Sequence, residues 1–336
     1  MTRIAVFGAG AIGCWVGGTL AAGGAEVTLV GRKRIMNELA AGLTTSELAG
    51  QTRTILLGGK LTVATEAAAA SGADVVLVTV KAAQTASAGG ELASVLSEDA
   101  TVVSFQNGVR NADVLRAALP GRRVLAAMVP WNVVRREAGA YHRASSGKLR
   151  IDDDPAAAPL IAACRAAGLA IEARGDMPAV QWAKLVMNLN NAINALSGLP
   201  LATELGQRAF RTCLAAAQAE ALALLAIAEQ DVARLTALPP RWMPRLLGVP
   251  DRVFALLAKR IVAIDPEARS SMWDDLEAGR PTEIDFLQGE VVELGERLGR
   301  PAPVNRALVR LVRAAEGGGK RDFTGPELAE VLGLSG

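Results

Sequence analysis

The stretch QWAKLVMNLNNAINAL, residues 181–196, carries one lysine and four asparagines among positions that are otherwise apolar apart from Gln181, with no acid beside them. Asn188 lies four residues after Lys184 and Asn191 seven, so at about 100° per residue all three share one helix face, while Asn190 and Asn194 point elsewhere. A lysine among neutral amides can stay desolvated, which penalises its charged form and lowers its pKa toward neutrality. Such a lysine can give a proton to a carbonyl oxygen as hydride reaches the carbon. The plain alternative is a solvated lysine on a helix surface. Farther on, RSSMWDDLEAGRPTEID offers Ser271, whose hydroxyl can bond a carboxylate, and Glu283, which can accept from a hydroxyl or tune the lysine. Taken alone, Glu283 reads first as a first-turn acid, stabilised by the helix dipole by roughly a few tenths of a kcal/mol.

A second group lies near the N-terminus. RIAVFGAGAIGCWVGGTLAAGG sets Gly8, Gly10 and Gly13 as GxGxxG directly between a strand and a helix. There the first glycine makes the tight turn, the second lets a pyrophosphate approach the backbone, and the third lets helix and strand pack closely. The helix start, with Ala11 and Ile12, then faces the phosphates. Gly17 and Gly18 extend the smooth face by a turn. The next strand ends LVGRKR, so Arg32 stands where an NAD site would offer an acid. Arginine can bond a 2′-phosphate bidentately, which favours NADPH; the alternative is a solvated basic turn. Lys81 after DVVLVTV and Asn107 in FQNG both follow strands, at the edge where open α/β sheets bind ligands. Their plain readings are a solvent-facing lysine and an Asn-Gly turn.

The elements that must position these groups follow from the pattern. RIAVF (3–7), EVTLV (26–30), DVVLVTV (74–80), TVVSF (101–105) and RVLAAMV (123–129) are short apolar runs, as expected of strands buried on both faces of a parallel sheet. Segments 148–151 and 169–173 are further β-like pieces that can extend that sheet, in an order the pattern leaves open. From about residue 176 the pattern turns to long Ala/Leu-rich helical spacing, which predicts an α/β domain over 1–176 and an all-α domain over 177–336. Asp176 and Pro178 mark a helix start, Gly198 and Pro200 its end, and TEID (282–285) and TGPE (324–327) begin two later helices.

Composition excludes several functions. The 336 residues include 36 basic and 34 acidic side chains, so charge gives no support for nucleic-acid or membrane-surface binding. Cys14, Cys164 and Cys213 are scattered and odd in number, as in a reducing compartment without disulfide or zinc frame. The single histidine, His142, reads as structural or exposed, which argues against metal and His-triad chemistry. The Ala/Leu-rich region around 214–228 is broken by Gln218 and Glu220 and is expected to fall short of a membrane span. The expectation is a soluble cytoplasmic protein, whose Ala-rich helical half offers surface for a homodimer.

With these residues assembled, the chain resembles the ketopantoate reductase (2-dehydropantoate 2-reductase) family over almost its full length. The resemblance rests on GAGAIG, VTLVGR, VLVTVKAAQT, SFQNGV, KLVMN and SSMWDDLEAGRPTEID, and on the spacing from Ser271 to Glu283. It implies a Rossmann domain, a helical C-terminal domain, a cleft between them, and NADPH reduction of 2-oxopantoate to pantoate. On this chain it implies Lys184 as general acid, Asn107, Asn188, Ser271 and Glu283 on the substrate, and Arg32 and Lys81 on the 2′-phosphate. One position departs: eight residues after the lysine, where many members have a second asparagine, stands Ala192, and Asn191 lies one step earlier. The stretch AMVPWNVVRREAGAYHRASSGKLRID is also bulky for a minimal pantoate pocket, with Trp131 and Tyr141 available to shape it. Two alternatives stay open: reduction of a different 2-oxo acid or imine, and a non-catalytic NADPH sensor.

Overall fold

The strands of the first half begin wherever four or five apolar or β-branched residues run together. In the computed structural model, which describes residues 2–48, 50–261 and 267–334, the chain divides into two units, Met1–Met177 and Pro178–Gly336. The first contains β1 (Arg3–Phe7), β2 (Glu26–Val30), β3 (Leu43–Glu47), β4 (Thr52–Ile55), β5 (Leu61–Ala64) and β6 (Val75–Val78). It continues with β7 (Thr101–Ser104), β8 (Arg123–Met128), β9 (Val133–Glu137), β10 (Ala140–Arg143), β11 (Leu149–Asp152) and β12 (Ile171–Arg174).

Eight of these strands form one sheet in the order β5-β2-β1-β6-β7-β8-β11-β12. The first six positions are parallel, and β11 runs antiparallel to β8 before pairing in parallel with β12. Counted along the chain, the parallel part has the 3-2-1-4-5-6 order of a Rossmann sheet, whose order reverses between β1 and β6. Alternation within the apolar runs serves both faces. Ile4, Val6, Val75 and Leu77 join the core under the helices Ala11–Ala22 and Ala158–Ala166, while Ala5, Phe7, Val76 and Val78 pack with Leu92 and Leu115 on the opposite side.

A smaller sheet, β4-β3-β10-β9, was not anticipated. Its strands read LTTSE, TRTI, VVRRE and AYHR, with many polar positions because one face is covered less completely than the other. The helix Ala11–Ala22 is packed between the two sheets. A Cβ on Gly17 would lie 2.5 Å from Leu29 of the large sheet, and one on Gly18 would lie 2.5 Å from Leu43 of the small one. This double burial explains why the helix is apolar all round.

The small sheet corrects one expectation. Trp131 and Tyr141 are each 2% exposed and belong to this core, so they fill the unit rather than shape a pocket. Trp131 meets Trp15 edge-on at 5.6 Å, and the Arg143 guanidinium stacks on both rings while pairing with Glu47. His142 is buried, with Nδ1 2.9 Å from the Ser46 hydroxyl, in a structural role.

The described part of the second unit is helical, as the change of period predicts. Its longest helix, Arg208–Ile227, is long and apolar enough by length and composition to cross a membrane, contrary to the expectation from Gln218 and Glu220. Packing accounts for that composition: Phe210, Cys213, Leu214, Ala217, Leu224 and Leu225 are buried in the unit. The two polar residues are engaged there too. Gln218 donates to the Val186 carbonyl (3.2 Å), and the Glu220 carboxylate accepts from the amides of Val304 and Asn305 (2.8 and 3.0 Å), capping the helix Pro303–Glu316. Thr324 and Glu327 form a full capping box on Gly325–Val331.

Candidate functional site

Four neighbouring parallel strands deliver the first unit's candidates to one edge of the large sheet. After β1, Gly8 adopts φ +112°, and a Cβ there would lie 2.6 Å from the Val80 amide nitrogen. Its carbonyl accepts from the Thr79 hydroxyl (2.6 Å), and its amide and that of Ala9 donate to Val30 O at the end of β2. A Cβ on Gly13 would lie 2.5 Å from Gly8 O, so helix and turn touch there. Gly10 differs. A Cβ on it would meet nothing nearer than Gly8 O at 4.0 Å, although its φ of −86° suits any residue. Two glycines are thus required by the fold, whereas Gly10 keeps open the space in front of the helix Ala11–Ala22. No side chain caps that helix and no acid occupies its first turn, so the start holding Ala11 and Ile12 presents positive dipole to whatever fills the space. The cradle fits a dinucleotide pyrophosphate.

Arg32 follows β2 at the start of the short helix Lys33–Glu38 and is exposed. Lys81, half-buried, follows β6 at the start of the 3-10 turn Ala82–Gln84. Asn107, half-buried, follows β7, and its carbonyl accepts from the Asn111 side-chain amide (2.6 Å). Gly8–Gly13, Arg32, Lys81 and Asn107 therefore stand at the carboxyl ends of β1, β2, β6 and β7, which include the reversal point where such sheets bind ligands. Gln106, Thr85 and Asn111, which the sequence reading passed over, form a buried polar chain behind them. The signal available was a glutamine in an otherwise apolar strand end.

In the second unit Lys184 lies on the helix Met177–Asn188 among buried Trp182, Ala183, Leu185 and Val186. Lys184 is half-buried, and desolvation lowers its pKa from 10.5 to about 8. This favours the desolvated reading of Lys184 over the solvated one. The helix does not run on unbroken. It stops at Asn188 and resumes as Asn190–Ser197, with Leu189 at ψ −19° and its carbonyl accepting from the Gln288 amide (2.8 Å). Asn188 keeps its register four residues from Lys184, but the phase computed for Asn191 assumed an uninterrupted helix.

The four asparagines separate in role. Asn190 and Asn194 are buried, and their amides donate to the Glu204 carboxyl at 3.4 and 2.8 Å. Glu204 is itself fully buried, which raises its pKa from 4.5 to about 8. Asn194 also accepts from the Ser270 amide (2.8 Å), and the Ser270 hydroxyl donates to Asn191 O (3.1 Å) while accepting from Trp273 N. Ser270 thus caps the helix Ser271–Glu277 and fastens it to the asparagine segment, leaving Ser271 exposed at its first position. Asn188 and Asn191 are half-buried; Ala192 is fully buried.

Glu283 does not open a long helix. It precedes the 3-10 turn Ile284–Phe286, the α-helix begins only at Gln288, and the carboxylate is buried at 8% exposure. Its place before a short 3-10 turn rather than in the first turn of the long helix departs from the first-turn reading. Through Ser270 and Gln288, the segments bearing Ser271 and Glu283 are hydrogen-bonded to the segment 189–194 that follows Lys184 and Asn188. Among the described residues no cluster of His, Cys, Asp or Glu is placed to hold a metal ion. The three cysteines are buried free thiols, each pushed up to about 12 by burial.

The strand order, the open Gly10 cradle and the basic strand ends define a dinucleotide-binding unit of the Rossmann type, joined to a helical unit with a desolvated lysine. The chain belongs to the ketopantoate reductase family: the description "Ketopantoate reductase PanE/ApbA" matches residues 4–155, and its C-terminal counterpart matches residues 176–316. It is an oxidoreductase of the NAD(P)H-dependent kind that acts on CH–OH groups. It is 30% identical to the 2-dehydropantoate 2-reductase of Archaeoglobus fulgidus, over 94% of this chain and 98% of that protein. Identity to the enzyme of the same name from Halobacterium salinarum is 29%, over 94% and 99%. Among solved structures, a PanE/ApbA family ketopantoate reductase from Ralstonia eutropha superposes with a TM-score of 0.80 at 30% identity, covering 94% of this chain and 99% of that one. D-mandelate dehydrogenase in a ternary complex with NADH and anilino(oxo)acetate shares the fold, with a TM-score of 0.75 at 20% identity and coverage of 94% and 99%.

Proposed function

We propose that the protein reduces 2-dehydropantoate to pantoate with NADPH in the cytoplasm, a step toward pantothenate and coenzyme A. The observation that carries the proposal is the placement of Lys184 among buried apolar residues on a helix with Asn188 one turn away, where burial lowers its pKa to about 8. Near pH 7 the ammonium is protonated and can donate to the oxygen of the 2-oxo group. Because burial disfavours the charge, giving the proton up costs little, which is what a general acid working near neutrality requires. Asn107, Asn188 and Ser271 bind the oxo acid, with Asn191 in the place of the asparagine missing at Ala192, and Glu283 accepts from the substrate hydroxyl. Bound NADPH supplies the hydride. Gly8, Gly10, Ala11, Ile12 and Gly13 hold its pyrophosphate, Asn107 meets its nicotinamide, and Arg32 and Lys81 take its 2′-phosphate. Fold alone does not select between the two nicotinamides, since the mandelate dehydrogenase structure carries NADH; Arg32 supports the phosphorylated one.

The second reading, a different branched 2-oxo acid or an imine, is favoured by Ala192, which is fully buried and offers no polar group. Steady-state oxidation of NADPH and NADH with ketopantoate and a panel of branched 2-oxo acids separates the two. Turnover of another acid without turnover of ketopantoate would remove the specific substrate, and NADPH binding without turnover of any would leave the sensor reading. The unit Met1–Met177 is proposed as the cofactor domain and Pro178–Gly336 as the substrate domain of a homodimer.

A further inference from the structure

Behind Lys81 and Asn107 runs a chain of buried side-chain hydrogen bonds whose direction is fixed by its two ends. Gln106 is 8% exposed, and its amide nitrogen donates to the Val80 carbonyl (3.1 Å) and the Thr85 hydroxyl (2.7 Å). Its oxygen accepts from the Ser104 hydroxyl (3.1 Å). A carbonyl at Val80 demands a donor, so the Gln106 amide has one possible orientation. At the other end the Asn111 nitrogen must face the Asn107 carbonyl (2.6 Å), which turns its oxygen to the Thr85 hydroxyl (2.7 Å). Thr85 is 1% exposed and Asn111 4%. The Thr85 hydroxyl accepts from Gln106 and has one proton to share between Asn111 and Ala82 O at 2.8 Å. Val80 is the residue before Lys81, and Gln106 the residue before Asn107. The chain therefore joins the two strand-end backbones that carry those side chains.

We infer that Thr85 and Gln106 are positioning residues that hold Lys81 and Asn107 in one fixed relation, so that cofactor grip and oxo-acid binding depend on a single buried hydroxyl. The inference rests on the roles proposed above for Lys81 and Asn107. Replacing the hydroxyl by a methyl of equal size leaves one of the two Gln106 N–H groups and the Asn111 oxygen without the Thr85 partner in a largely buried setting.

The test uses Thr85→Val and Thr85→Ser, with the NADPH dissociation constant read by nicotinamide fluorescence and KM and kcat for ketopantoate read separately. Thr85→Val is expected to weaken NADPH and raise the ketopantoate KM by about tenfold each, as for one lost buried hydrogen bond, with kcat changed far less. Thr85→Ser is expected to restore most of the loss. In an Asn107→Ala background, Thr85→Val should add little to the ketopantoate KM while still weakening NADPH. Unchanged constants in Thr85→Val, a Thr85→Ser variant as damaged as Thr85→Val, or fully additive effects in the double variant would each overturn the inference. If Thr85→Val does not fold, Gln106→Met keeps the size but removes both donors, and the same shifts are expected of it. Should ketopantoate not turn over at all, the substrate assignment fails while the NADPH measurement still decides the Lys81 half. Should Lys81→Ala and Asn107→Ala bind both ligands like the parent chain, the site assignment falls and the inference with it.

Discussion

If Lys184 is the proton donor, the pH dependence of the reaction is set by its burial. An ordinary lysine at 10.5 stays protonated throughout the range in which the protein can be assayed, whereas burial brings Lys184 to about 8. Lowering a lysine pKa means that the donor form is present below that value and lost above it. With one group titrating at about 8, roughly nine-tenths is protonated at pH 7, about one-tenth at pH 9 and about one-hundredth at pH 10. The quantity to follow is kcat/KM for the 2-oxo acid, which reports the enzyme form that meets that substrate, from pH 6 to 10 at saturating NADPH. It should be flat below about pH 7.5 and then fall roughly tenfold per pH unit. Lys184→Ala should lower turnover by more than about a hundredfold, the lower range for loss of a general acid, with NADPH binding nearly intact. A kcat/KM that stays level to pH 9.5, or a Lys184→Ala variant with normal turnover, would refute the assigned role.

Arg32→Asp is expected to weaken NADPH by roughly a hundredfold relative to NADH, since a bidentate attraction becomes a repulsion; an unchanged ratio of the two dissociation constants would take Arg32 out of the site. Gly10→Ala places a Cβ in open space at φ −86° and should leave the melting temperature near that of the parent while weakening NADPH, whereas Gly13→Ala puts a Cβ 2.5 Å from Gly8 O. The latter should lose about 1–3 kcal/mol of stability by overpacking, and equal thermal losses in the two variants would contradict the distinction drawn between them. Glu204, fully buried and raised from 4.5 to about 8, keeps its proton in the folded chain over a range where the unfolded chain loses it. Stability should therefore fall as pH rises from about 4.5 to 8, by on the order of 5 kcal/mol from this group. Glu204→Gln should remove that slope, giving a higher melting temperature than the parent at pH 8.5 and a similar one at pH 5. The same difference at both pH values would show that Glu204 carries its charge in the fold.

What could be read in the sequence was whatever depends on local chemistry. The large sheet was legible because strands such as VVLV and TVVS are apolar on both faces, and only a strand covered by helices on both sides needs that. The small sheet was not, because LTTSE and VVRRE spend half their positions on solvent and ion pairs, and the covering surface is a helix more than twenty residues away in the chain. Trp131 and Tyr141 were misplaced for the same reason: a large aromatic side chain serves a core as well as a pocket, and only the partner across the contact, here Trp15, distinguishes them.

The asparagines carry the argument one step further. Helical arithmetic gave Lys184 and Asn188 one face because both precede the interruption at Leu189, and it became uncertain at Asn191 because a glutamine about a hundred residues away binds the Leu189 carbonyl. Asn190 and Asn194 looked like spare polarity until Glu204 and Ser270 were placed beside them: both donate to Glu204, and Asn194 also accepts from Ser270 and so holds the segment that carries Ser271 against the helix that follows Lys184. A polar residue that fits no local pattern is therefore informative about distant partners. In this chain Gln106, Gln218 and Gln288, each preceded by an apolar residue, all donate to a backbone carbonyl of another segment, and two of those three carbonyls stand next to a residue of the proposed site: Val80 beside Lys81 and Leu189 beside Asn188.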